Sequence, residues 1–374
     1  MTRSDLPTRI FAAILVVTTL STIGGYAQTP QPAASPKPIQ VSPGGVSPTD
    51  PQVTVPLPEF VPNAAGTGVT IARATESFSE LTLKGSDLHP EPPILGSREQ
   101  KPDFIRELWQ VRWRPNDPID LWVILPRGVK NPPVVLFLYG FPTETDRFKN
   151  DSYCSRVVQG GAAAVGFVSA LTGHRYNYRP FKENFISELP EALASTTHDV
   201  HLVLDYLQSR GDLDMNRVGM FGQGSGGAIA IMSAAADPRL KAIDLLDPWG
   251  DWPDWFATAP DVPQTERAHY LKPDFQKALK PLEPLQYLPQ LKSQKLRIQF
   301  VADEGEPEKA MSSLQAAAPS SAQVIRFATS RRMYNENSGG RLFEWIATAL
   351  NAHPSPEPQL NPIAAQTDPA KSKP

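Results

Sequence analysis

Arg217-Val218-Gly219-Met220-Phe221-Gly222-Gln223-Gly224-Ser225-Gly226-Gly227-Ala228 is the stretch that decides how this chain folds. It reads as a strand turning sharply into a helix, with glycines where two backbones must approach closely. A phosphate-loop reading fails, because the Lys-Ser/Thr ending is missing. Residues 222–227 fill only half of a dinucleotide-type G-x-G-x-x-G, with no acidic residue in register at the next strand end. The flanks extend the strand–helix pattern. Residues 108–113 and 120–125 read as strands separated by the turn 114–118, and the apolar run 134–138 as a buried central strand. Further strands are expected over 162–171, 242–246, 296–301 and 323–327. Helical spacing marks 152–159, 196–207, 228–236 and 341–350. Alternation of this kind predicts an α/β protein whose mostly parallel sheet carries helices on both faces.

The glycine-rich turn resembles the nucleophile elbow of the α/β-hydrolase superfamily of serine esterases and peptidases. The family motif is G-x-S-x-G, with the catalytic serine on a strained turn. The resemblance runs from about residue 107 to 350. It implies the α/β-hydrolase fold, with a central sheet of about eight strands and a small lid insertion at about 250–294. With glycines at both outer positions, Gly222 and Gly226, the nucleophile's place falls on Gly224. Glycine has no side chain with which to attack a carbonyl. A register shifted by one makes Ser225 the nucleophile, with Gln223 and Gly227 outside it, and the tight turn must then fit a glutamine.

The resemblance also calls for an acid after the elbow and then a histidine base, in that chain order. The loop 328–340, where the base belongs, contains no histidine, and none lies between His269 and His353. His353 follows the closing helix, His269 falls in the insertion, His174 follows the fourth expected strand, and His89 sits among prolines. His198 and His201 share a helix face but have no third ligand near them in sequence, so no metal site is expected. Gly305 falls where the family's acid sits. Asp303 is the best candidate among Asp303, Glu304 and Glu306, although the segment reads first as an ordinary solvated acidic turn. Oxyanion donors in this family are backbone N–H groups, here expected from Ser225 and Phe141. Such a pocket suits a small acid, ester or anion. Trp249, Trp252 and Trp255, with Phe256, read either as an aromatic pocket wall or as packing that seats the lid. No cofactor is implied.

The ends read differently from the middle. Residues 1–9 are positively charged, 10–23 are apolar and uncharged, and Gly25-Tyr26-Ala27 supplies small residues, so 1–27 is expected to be a secretory signal peptide. Export would place the protein in the periplasm or outside the cell, with no spanning segment left after cleavage. Residues 28–63 hold ten prolines and one aromatic, Phe60, and are expected to form a disordered linker. Residues 352–374, with six prolines, read as a similar tail, leaving 64–351 as the hydrolase-fold domain. Cys154 is the sole cysteine, so no internal disulfide forms. A net charge of −3 without a basic block argues against nucleic acid as a partner. Together these features predict an exported hydrolase-fold protein without the serine mechanism, serving as a binding or scaffold protein. The rival is a secreted esterase or peptidase that uses Ser225.

Overall fold

The computed structural model describes residues 75–354 apart from 89, 115–116, 142–144, 172–174 and 176–187. The expected signal peptide, the proline-rich linker, all but the first three residues of the tail, His89 and His174 lie outside the described residues. No helix among the described residues is long and apolar enough to cross a membrane.

Nine strands form one sheet: β1 (Ile94–Gln100), β2 (Phe104–Val111), β3 (Ile119–Pro126), β4 (Pro133–Leu138), β5 (Ala163–Gly166), β6 (Asp214–Gln223), β7 (Leu240–Leu246), β8 (Lys295–Val301) and β9 (Gln323–Phe327). Their spatial order is β1-β2-β3-β5-β4-β6-β7-β8-β9. The first three run antiparallel, and β3 pairs antiparallel with β5. From β5 to β9 every pairing is parallel. Parallel neighbours require crossovers, and those crossovers supply the helices.

β4 shows how two cores arise from one strand. All six of its residues are buried. Val134, Leu136 and Leu138 join the core on one face, whereas Val135 and Phe137 join the core on the other. This is the two-residue period of a strand covered on both sides. Helices α2 (Leu189–Arg210) and α3 (Ser225–Ala236) close the first face. Helix α1 (Asp151–Val158) closes the second. Apolar residues surround α3 on nearly all sides, as befits a helix buried in the middle of a core.

Between β7 and β8 the chain leaves the sheet through short helices: α4 (Trp252–Thr258), α5 (Arg267–Tyr270), α6 (Pro273–Leu279) and α7 (Pro284–Tyr287). After β8 come α8 (Glu308–Ala317), β9, α9 (Ser330–Asn337) and α10 (Arg341–Ala349), which packs Ile346 into the second core. Three local expectations need correction. β1 adds a ninth strand, which its exposed and weakly alternating sequence ILGSREQ concealed. The fifth strand is four residues long and does not run to residue 171. The segment 328–340, read as a loop, is mostly helix α9, whose N-cap Thr329 accepts a hydrogen bond from Arg332 N.

Candidate functional site

Strand β6 ends and α3 begins at Gly224, whose φ of 55° and ψ of −121° lie where residues with a Cβ are strained. Ser225 is already the first residue of the helix. The glycines on either side are fixed by contact. A Cβ on Gly222 would meet Gly226 O at 2.5 Å, and one on Gly226 would meet Leu138 O at 2.2 Å. A Cβ on Gly224 meets nothing closer than Trp249 Nε1 at 3.4 Å and Gly140 Cα at 3.5 Å. The elbow therefore turns at Gly224, and the flanking close approaches fall at 222 and 226. Hydrogen bonds lock this turn: Gly224 N donates to Leu246 O at 3.0 Å, and Trp249 N donates to Gly224 O at 3.1 Å.

Ser225 is fully buried, and its Oγ accepts a hydrogen bond from Phe141 N at 3.1 Å. The two residues expected to give oxyanion donors are thus brought together, but the Phe141 N–H is directed at the Ser225 hydroxyl. A ligand oxygen must displace that hydroxyl to reach it.

Over the elbow lies an aromatic block. The rings of Trp249 and Trp255 stand 4.5 Å apart, and Trp252 meets Trp255 edge-on at 5.9 Å. All three tryptophans are buried in the first core, with Phe256 and Tyr270 alongside. They pack the insertion onto the body. The two indoles of Trp249 and Trp255 also converge on one carboxyl group: Trp249 Nε1 donates to Glu306 Oε1 at 2.8 Å, and Trp255 Nε1 to Glu306 Oε2 at 3.2 Å. Carboxyl, indole and elbow are thus aligned in the order acid, ring, nucleophile position. An indole N–H only donates, so Trp249 cannot take a proton as a base would.

Burial pushes the Glu306 carboxyl up to about 8, and Asp247 adds to the shift. Asp247 itself is raised to about 7 by burial. It has a φ of 45°, and its Oδ1 accepts from Val301 N at 2.7 Å. Raised carboxyls bind more protons in the fold than in the unfolded chain, so they cost stability as pH rises. For Glu306 that cost accumulates between about 4.5 and about 8 and is constant above. Glu306→Gln leaves one indole N–H without an acceptor at every pH, so its melting temperature is expected to rise relative to the parent's by several degrees between pH 4.5 and pH 8.5. Thermal denaturation at the two pH values checks the sign.

Asp303 adds to the Asp247 shift through its charge but has its own partners. It is exposed, and it accepts from Ser330 N at 2.5 Å and Ser330 Oγ at 3.3 Å, so it serves the start of α9. The described histidines have other partners. His198 and His201 bond to Glu76 and Asp237, His269 meets Tyr270 edge-on, and the His353 carbonyl packs on Gly161. No group of three or more potential metal ligands occurs among the described residues. In the sequence Glu306 stands behind Asp303 among the acid candidates, and Asp247 is not singled out as a site residue. Asp247 left a signal, since it ends a buried strand beside the elbow. Nothing local set Glu306 above Asp303, because its surroundings depend on indoles 57 and 51 residues away.

This topology, with an elbow of this shape after the central parallel strands, is the α/β-hydrolase fold. Solved structures sharing it include an acetyl xylan esterase from Paenibacillus sp. R4, with 17% identity and a TM-score of 0.52 over 72% of this chain and 90% of that one. Acetyl xylan esterase 1 from Thermoanaerobacterium sp. JW/SL YS485 matches with 14% identity and a TM-score of 0.51, over 69% and 89% of the two chains. An S-formylglutathione hydrolase from Agrobacterium tumefaciens matches with 15% identity and a TM-score of 0.50, over 68% and 99%. At such identities the likeness is one of fold. No family model and no curated protein matches the sequence.

Proposed function

We propose that this chain is an exported α/β-hydrolase-fold protein that lacks serine-hydrolase chemistry and works as a binding or scaffold protein. The observation that carries the reading is Gly224 at the elbow turn, with the Trp249 indole standing where an attacking group would project. The neighbours' esterase activity belongs to those proteins, and the elbow chemistry here argues against extending it. The rival nucleophile, Ser225, is fully buried inside the first turn of α3 with its oxygen held by Phe141 N–H. Export rests on the charged, apolar and small-residue order of the first 27 residues.

A ligand at the elbow would be a neutral acid or ester in preference to an anion. It must replace the Ser225 hydroxyl at Phe141 N–H, and the Asp247 and Glu306 carboxyls nearby repel negative charge once ionised.

Gly224→Ser tests the reading. The new Cβ has room, but the positive φ makes the substitution cost about 1 kcal/mol. With no base beside it the new hydroxyl should give no robust esterase activity, scored on a panel of activated esters. Rapid turnover by Gly224→Ser would mean that a working base faces the elbow and would defeat the proposal.

A further inference from the structure

The segment 75–88, ahead of β1, lies as a strap across α2. Leu81 and Leu88 are buried in the first core, with Phe78 and Leu83 packed against it. Two histidines of α2, neighbours on one helix face, hold the strap. His198 Nδ1 lies 2.6 Å from Glu76 Oε1, and its Nε2 lies 2.8 Å from Glu80 O. His201 Nδ1 lies 3.0 Å from Asp237 Oδ2, and its Nε2 lies 3.0 Å from Leu81 O. Each ring thus faces a carboxylate on one side and a strap carbonyl on the other.

A neutral imidazole carries one N–H and one bare nitrogen, whereas an imidazolium carries two N–H groups. A backbone carbonyl has no proton to give. The carboxylates are ionised as well. Burial alone would raise Glu76, but Arg114 and His198 outweigh it and hold the carboxyl below its usual value. Asp237 is likewise favoured by burial to keep its proton, yet His201 and Arg239 hold it far below the ordinary range. All four hydrogen bonds are therefore made only when both rings carry two protons. A ring that loses one leaves a buried lone pair facing an oxygen.

We propose that His198 and His201 form a proton-dependent latch: as imidazolium ions they pin the strap at Glu80 and Leu81 to α2, and loss of their protons loosens it. The charged groups around them sharpen the device. Beside His198 lie Glu76 from the strap, Arg114 from the turn after β2, and Asp199, which pairs with both Arg114 and Arg175; Asp117 also pairs with Arg175. Beside His201 lie Asp237 at the end of α3, its partner Arg239, and Asp205, which Arg239 bridges to the same helix. Release would uncover the apolar side of the strap around Leu81. The latch is independent of whether the elbow is catalytic.

Isotope-labelled histidine in the intact protein reports both ring nitrogens directly by nuclear magnetic resonance, and hydrogen–deuterium exchange reports the strap. Both rings are expected to show two protonated nitrogens while the strap is protected. As they titrate, amides of 75–88 should exchange about tenfold faster after correction for the intrinsic effect of pH. His201→Gln, whose amide cannot donate in both directions, should remove part of that pH dependence, and adding His198→Gln should remove the rest. A bare ring nitrogen in the protected state would overturn the latch, as would strap exchange that stays constant through the titration. The wild-type measurements decide the matter even if the variants fold poorly.

Discussion

Gly226→Ala is expected to cost about 3 kcal/mol, the upper part of the range for forcing atoms into a packed core. The added methyl would stand 2.2 Å from Leu138 O and 2.7 Å from Leu138 C, which are backbone atoms of the central strand with no rotamer to change. Relief requires α3 to move away from β4, and α3 is buried along nearly its whole length. Gly224→Ala is the matched control. It meets only ordinary contacts and bears only the backbone strain, about 1 kcal/mol. Denaturant unfolding of both variants checks the order. Greater damage from Gly224→Ala would mean that the tight contact is misassigned and would reopen the register that centres on Ser225.

Trp249→Ala has the second large effect. Trp249 is buried, packs its ring against Trp255 at 4.5 Å with the planes tilted by 41°, and gives its indole N–H to Glu306. Removing a core tryptophan costs about 3–5 kcal/mol, through lost burial and the cavity left behind. Glu306 would keep only the longer bond from Trp255. Trp249→Phe should recover part of the loss, since it restores ring burial without the hydrogen bond. Chemical denaturation of both variants measures the split. The cavity would also open the space above Gly224, and ester turnover should remain absent there, because removing a plug supplies neither nucleophile nor base.

Much of this organisation could be read from the residues. The all-apolar Val134 to Leu138 run announced a strand covered on both faces, and the spacing of glycines around Gly224 announced a turn squeezed between β6 and α3. Such signals are local, because close backbone contact and strand period act on neighbouring residues. What escaped was non-local. β1 has neither a buried face nor a clean alternation, since it lies at the sheet edge and exposes Ile94 and Leu95. Helix α9 is short, strongly polar and carries only Met333 into the core, so its helical period was faint. Glu306 reads as one more acid in an acidic turn until Trp249 and Trp255 close on it from the insertion. Asp303, the best acid candidate in what otherwise reads as a solvated acidic turn, is exposed and holds the start of α9.

The same distinction governs the site. A glycine at the elbow turn is visible in sequence once the register is known. What stands over that turn is not visible. Here it is an indole, held by a carboxyl group whose pKa burial has raised to about 8. These contacts set the order acid, ring and elbow, and the indole in it can only donate a hydrogen bond.

The central claim is that no residue at the elbow attacks carbonyl or phosphonyl carbon or phosphorus centres. Fluorophosphonate labelling of the purified protein, run with an ester-hydrolysis assay and Ser225→Ala as control, tests it most directly. The account predicts no labelling and no turnover above the uncatalysed rate. Labelling that disappears in Ser225→Ala, accompanied by turnover in the parent, would contradict it and make this chain a serine hydrolase.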